Sequence, residues 1–352
     1  MKYARSLTIF LLAAIFLFSL YSSPCLSAEI SDEARDWYNQ GVSAALSGDY
    51  RAAALAYSHA VELSPGYEAA YFSLGNAYDN LGMSDEAAEA YRKGLWIKPD
   101  DADANYLLGR VYFRKQMYRE AADSLKQSVK SGEKDVNAYF YLGESYYNQK
   151  MYRYAADAYK EAVGQKPDFA EGWSGLGSAY DGLGMYNEEV DAYRHAVGIR
   201  TDDPMGYYNM GVALVQAGRK VEAVEAYGKS VKLKPDFAEA WLGLGAVYED
   251  MRRYDDAAAA FRKAVAIRPD YVEAWFDLGE TFLEAGRYRE AVEAYKGGIA
   301  IKPDYPDAHF QLGSAYVKLN AAAYAIEEYN ALRKLDADKA MKLYNMIYGT
   351  AP

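Results

Sequence analysis

The chain has 352 residues, a formal net charge of −11 and one cysteine, with 51% hydrophobic and 15% aromatic residues. Such acidity argues against a nucleic-acid partner, which is held by Lys and Arg neutralising phosphates, and a single cysteine excludes an internal disulfide framework. The apolar content is enough for a large core.

The first element reads as a leader. Met1 to Ala28 carries Lys2 and Arg5, an apolar run from Leu7 to Leu20, and small residues before Glu29. That is the layout of a secretory signal peptide. The run is short for a membrane span, which takes about 20 residues. Cleavage after Ala28 would remove Cys25, Lys2 and Arg5, taking the charge from −11 to −13. The expected location is therefore periplasmic or extracellular, with no stable membrane span once the signal is cleaved. An uncleaved N-terminal membrane anchor is the alternative.

From Ala34 onward the chain repeats every 34 residues, without insertion or deletion, in nine windows: 34–67, 68–101, 102–135, 136–169, 170–203, 204–237, 238–271, 272–305 and 306–339. The eighth residue is Gly in all nine, from Gly41 to Gly313, although Gly makes up about 7% of average sequence. Position 20 is Ala except at Glu189, and position 24 is aromatic except at Leu125. This periodicity means identical supersecondary units, each burying a face on its neighbours.

The window 238–271 shows what one unit is. Trp241, Leu244, Gly245 and Tyr248 share one face of a helix. A helical Gly costs about 1 kcal/mol against Ala, so its recurrence points to a second helix crossing closer than a Cβ permits. Ala257 and Ala264 are small on that second helix, Phe261 fills the space between them, and Pro269 cannot continue it. The unit is two antiparallel helices.

Several windows depart from the pattern. The first has Gln40 and Ala44, as expected of a terminal unit facing water. The third has Asn105, Leu125, Ser128 and Glu133, and its polar exit from Lys130 to Asp135 carries Gly132 and reads as a bend or looser joint. The fifth has Glu189 and Thr201, with Pro204 as the breaker, and the ninth has Asn320 followed by three alanines. In the last segment, 340–352, the residues Met341, Leu343, Tyr344, Met346 and Ile347 are apolar at helical spacing and read as a capping helix.

W-x-x-L-G-x-x-Y, followed by Ala257, Phe261, Ala264 and Pro269 in a unit of 34, resembles the tetratricopeptide repeat family. The resemblance implies an all-α, right-handed superhelical solenoid of nine helix-turn-helix repeats. It also implies a concave groove lined by positions 2, 5, 6, 9, 12 and 13 of each unit, where partner segments dock.

Two parts of that groove differ. In the third and fourth repeats it carries Tyr106, Phe113, Phe140, Tyr141 and Tyr147, with Leu107, Arg110 and Arg114 beside them. These rings are candidates for an apolar docking patch, although position 5 is aromatic in most repeats and can pack between helices. In the seventh and eighth repeats it carries Glu239, Glu249, Asp250, Glu273, Asp277, Glu280 and Glu284. An acidic face can be merely solvated, but Glu273, Asp277, Glu280 and Glu284 repel one another at i+3 and i+4. A partner with a basic segment would relieve them.

The family's Lys–Asn–Arg clamp for a C-terminal carboxylate is not matched, because Phe72 and Leu107 stand where its residues would be. Asn39, Asn76 and Asn209 are too sparse for an asparagine ladder. Of the histidines His59, His195 and His309, the first two share position 26 four units apart, on distant parts of the solenoid, so they cannot share a metal, and no phosphate-loop, zincin or nucleophile-elbow motif occurs. No catalytic site, metal or cofactor is expected. The expected role is an exported, non-catalytic scaffold for protein or peptide partners in an envelope assembly or secretion complex. The alternative is an accessory that presents substrate to a separately encoded glycosyl- or peptidoglycan-processing enzyme.

Overall fold

The computed structural model describes residues 29–131 and 135–349. The expected signal (1–28), the centre of the expected bend (132–134) and the last three residues of the tail lie outside the described residues. Nineteen helices and no strand occur among those described, and the chain divides into two compact units at Gln149/Lys150.

In the first unit α1 (Asp32–Leu46) pairs with α2 (Tyr50–Leu63), α3 (Glu68–Asn80) with α4 (Ser84–Ile97), and α5 (Ala102–Arg114) with α6 (Tyr118–Ser131), followed by α7 (Val136–Asn148). In the second unit α8 (Tyr152–Gln165) packs on α9 (Ala170–Gly182). The pairs continue as α9 with α10 (Tyr186–Ile199), α11 (Pro204–Gln216) with α12 (Lys220–Leu233), and α13 (Ala238–Asp250) with α14 (Tyr254–Ile267). They end with α15 (Val272–Glu284) and α16 (Tyr288–Ile301), then α17 (Pro306–Lys318) and α18 (Ala322–Leu335), against which α19 (Ala337–Tyr348) closes. Within each unit every helix packs on the next, and first helices such as α11, α13 and α15 also touch one another. Each unit is a solenoid whose core is a ribbon between the two helix layers.

The recurrent Gly has a more specific reason than close helix crossing. A Cβ built on Gly245 would lie 2.6 Å from Phe261, one on Gly75 2.8 Å from Tyr91, and one on Gly279 2.7 Å from Tyr295. The position-24 ring packs directly against the glycine, and the missing side chain is its seat. In the ninth repeat Leu343 of α19 approaches Gly313 instead, while Tyr329 meets Tyr344 in a tilted contact with centroids 5.6 Å apart. The capping helix therefore begins at Ala337, ahead of the expected 340. Asp336 caps it by accepting the Lys339 N–H at 3.0 Å.

Two further devices keep the units in step. The first helices end in the left-handed region at one place in the register, with φ from 55° to 81° at Gly48, Gly82, Gln116, Lys150, Gly184, Gly218, Arg252, Gly286 and Asn320. The next N–H then reaches back over the turn, as from Arg253 to the Tyr248 carbonyl at 2.8 Å, closing orphan carbonyls of the helix end. At position 4 the indoles of Trp173, Trp241 and Trp275 donate to the carbonyls of Pro167, Pro235 and Pro269, each at 2.9 Å. Asn105, a departure in sequence, makes the same link to Pro99 at 3.0 Å.

Candidate functional site

The acidic residues of the second unit fall into two groups. Glu249 comes from α13, and Glu273, Asp277, Glu280 and Glu284 from the adjoining α15. Thr281, wholly buried, donates its hydroxyl to Glu249 Oε1 at 2.7 Å. Burial pushes Glu249 up to about 7, with Glu280, Asp277 and Glu284 adding to the rise and the Thr281 hydrogen bond opposing it. Burial likewise pushes Asp277 up to about 6, reinforced by Glu280 and Glu273. Among the described residues none of these five carboxylates makes an ion pair with Lys or Arg. Their mutual repulsion is uncompensated within the unit.

Glu239 and Asp250 belong to the second group and leave the repelling cluster. Glu239 pairs with Arg268, whose hydrogen bond is the largest influence holding the carboxyl below its usual range. Asp250 pairs with Lys220 at 2.6 Å. The link from position 2 to position 31 recurs as Glu171 with Arg200. A Glu at the second position with an Arg at the thirty-first was the signal available in the sequence.

Beneath the unpaired group lies a residue that the sequence did not single out. Tyr295 on α16 is 2% exposed, rests on Gly279, and its hydroxyl has no hydrogen-bond partner. Burial raises its pKa, and Glu280, Glu249, Asp277 and Glu284 raise it further. In the fifth repeat the equivalent Tyr193 meets Ser178 at 3.0 Å. In the eighth repeat Glu280 stands at the Ser178 position.

In the first unit Tyr106, Phe113, Phe140 and Tyr141 form one half-buried cluster on α5 and α7. Tyr141 is 6.3 Å from Tyr106, 5.5 Å from Phe113 and 5.7 Å from Phe140, centroid to centroid. Phe113 also meets Tyr118 at 5.5 Å, and Arg110 lies over the rings of Tyr106 and Tyr141 at 5.6 and 6.0 Å. Tyr147 is half-buried on α7. Position-5 rings elsewhere pack on the last residue of their own repeat, as in Tyr38 with Tyr67 at 5.0 Å and Phe276 with Tyr305 at 4.5 Å. Tyr106 and Phe140 share that position, whereas Phe113, Tyr141 and Tyr147 come from positions 6 and 12.

The histidines serve packing. His59 and His195 sit on Trp37 and Trp173 at 4.6 and 4.3 Å, and His309 is paired within the last helices. Three clefts of about 590, 340 and 520 Å³ lie at equivalent places between successive second helices, so repeat geometry accounts for them. Among the described residues no His/Cys/Asp/Glu group could hold a metal ion, and no helix is long and apolar enough to cross a membrane.

Models of the tetratricopeptide repeat match residues 106–168, 151–204, 208–272 and 246–306, with further matches at 282–344 and 68–101. No curated protein matches the chain significantly. Among solved structures, the C-terminal part of a TPR repeat-containing protein from Cytophaga hutchinsonii aligns with TM-score 0.60 and 17% identity, over 68% of this chain and 99% of that one. YrrB, described as a TPR protein with an unusual peptide-binding site, aligns with TM-score 0.50 and 23% identity, over 53% and 96%. MamA aligns with TM-score 0.46 and 26% identity, over 49% and 94%.

Proposed function

Because the chain belongs to the tetratricopeptide repeat family, we propose that it is an exported, non-catalytic scaffold docking protein segments along the face made by its first helices. The observation that carries this reading is the unpaired cluster of Glu249, Glu273, Asp277, Glu280 and Glu284. Like charges held together without a counter-ion weaken a helix, so their arrangement gains nothing for the fold and suits a basic partner segment. YrrB is described as having a peptide-binding site, and we extend peptide docking of that general kind to this chain. The aromatic cluster of the first unit would take an apolar segment, and the leader at 1–28 would deliver the protein to an envelope assembly or secretion complex.

The test is photo-cross-linking in the native host with a reactive residue at 280 on α15, against one at 266 on the exposed side of α14. A protein captured from 280 and absent from 266 supports the scaffold. Equal capture at both positions overturns docking on the first-helix face. N-terminal sequencing of the same preparation should begin at or near Glu29, and an intact Met1 in the membrane fraction would overturn export by cleavage.

A further inference from the structure

Resting on that scaffold reading, we infer that Glu249, Asp277, Glu280 and Glu284, floored by the Tyr295 hydroxyl, form a receptor for one arginine side chain of the docked segment. A solvated acidic face would need no floor. Here the nearly fully buried Tyr295, its hydroxyl without a partner, rests on Gly279 beside Glu280, and Glu280 occupies the position from which Ser178 meets the equivalent Tyr193. Leaving such a group unmade costs about 1–3 kcal/mol, and six other repeats carry a tyrosine at the same place. The seventh shows that the fold accepts Phe there, since Phe261 occupies the equivalent seat on Gly245.

Chemistry selects the occupant. The acceptors come from two helices, Glu249 from α13 and the other three from α15, so they are spread rather than focused on one point. A guanidinium offers five N–H donors in a planar fork and loses little hydration on burial, whereas an ammonium is a compact and strongly hydrated charge. Charge-assisted hydrogen bonds of this kind are roughly twice as strong as neutral ones. Binding also displaces protons: burial and the neighbouring acids leave Glu249 and Asp277 partly protonated near neutral pH, and a bound cation favours their ionised forms. The groups facing them are Glu273, Glu280 and Glu284 on α15, Thr281, and Tyr295 on α16.

The probes are hexa-arginine and hexa-lysine peptides titrated calorimetrically into the mature protein. Hexa-arginine should bind several-fold tighter than hexa-lysine, with proton release near pH 6 that disappears above about pH 8, where both carboxyls are already ionised before binding. Asp277→Asn with Glu280→Gln should weaken hexa-arginine at least tenfold. Glu239→Gln with Asp250→Asn removes the same charge from ion-paired neighbours and should change it less than twofold. Tyr295→Phe should weaken hexa-arginine roughly threefold while leaving the melting temperature unchanged or raised, the opposite of a structural hydroxyl. Equal weakening by both double variants, or no preference for arginine, would overturn the receptor. A captured partner that ignores Asp277→Asn with Glu280→Gln would also overturn it and leave the scaffold standing, whereas loss of capture at 280 strikes the scaffold itself.

Discussion

His309 Nδ1 lies 2.6 Å from Glu328 Oε2, with His309 Nε2 2.8 Å from the Pro303 carbonyl, so the ring stands where other repeats place a tryptophan and adds an ion pair to the same proline link. Both ring nitrogens face acceptors, which is the arrangement of an imidazolium. The hydrogen bond to Glu328 is the chief reason that the pKa of His309 is raised.

A raised histidine pKa stabilises the fold fully below the unfolded value of about 6.5, and that stabilisation is lost as pH rises through the folded value. Amides of α17, α18 and α19 should therefore exchange faster, relative to α13, at pH 9 than at pH 6 after correction for intrinsic rates. Glu328→Gln should flatten this difference. An unchanged ratio in the parent protein would refute the protonated pair.

Glu189 is 3% exposed where the other repeats carry Ala, and its Oε2 has no hydrogen-bond partner. Burial, with help from Asp181, pushes it up to about 7. A raised carboxyl pKa costs nothing below the unfolded value and destabilises increasingly as pH climbs towards the folded one. Glu189→Ala should stabilise the protein by about 1–3 kcal/mol at pH 8 and by much less at pH 4, as measured by urea denaturation at both.

Arg252 sits at φ 58°, where five of the repeats use Gly. An L-residue pays roughly 1–2 kcal/mol for that region, so Arg252→Gly should raise stability by about 0.5–1 kcal/mol after the entropy of the added Gly is counted. The melting curve checks this. A loss of stability would mean that what the Arg252 side chain contributes outweighs the backbone strain.

Gly245→Leu should cost about 1–3 kcal/mol by overpacking, because Phe261 already fills the space. Hydrogen exchange should quicken in α13 and α14 before α18, since each repeat contacts only its neighbours. Combining it with Phe261→Ala should cost less than the sum of the two. Strict additivity would remove the ring from its seat.

Much of the fold was legible because a 34-residue register exposes every exception. Gly245 and Phe261 stood out together, and the helix pair followed. The position-4 link was not legible, because Trp241, Asn105 and His309 share no shape; they share only an N–H at the right reach. Nor was the fate of Tyr329, whose pattern is regular while its seat is taken by Leu343 from outside the repeat. At the site, Asp277 and Glu280 were readable from i+3 spacing on one helix. The pairing of Glu239 with Arg268 and of Asp250 with Lys220 spans about thirty residues, beyond what a single helix face displays. Tyr295 was hidden by its own regularity, since only the neighbour facing its hydroxyl makes it unusual.

The last helix decides how the array can grow. Leu343 plugs the glycine seat of α17, and Tyr344 covers Tyr329, so the surface on which another repeat would stack is already occupied. End-to-end polymerisation at this terminus must first peel α19 away. Removing α19 would instead expose that surface, and the shortened protein should self-associate more strongly than its parent.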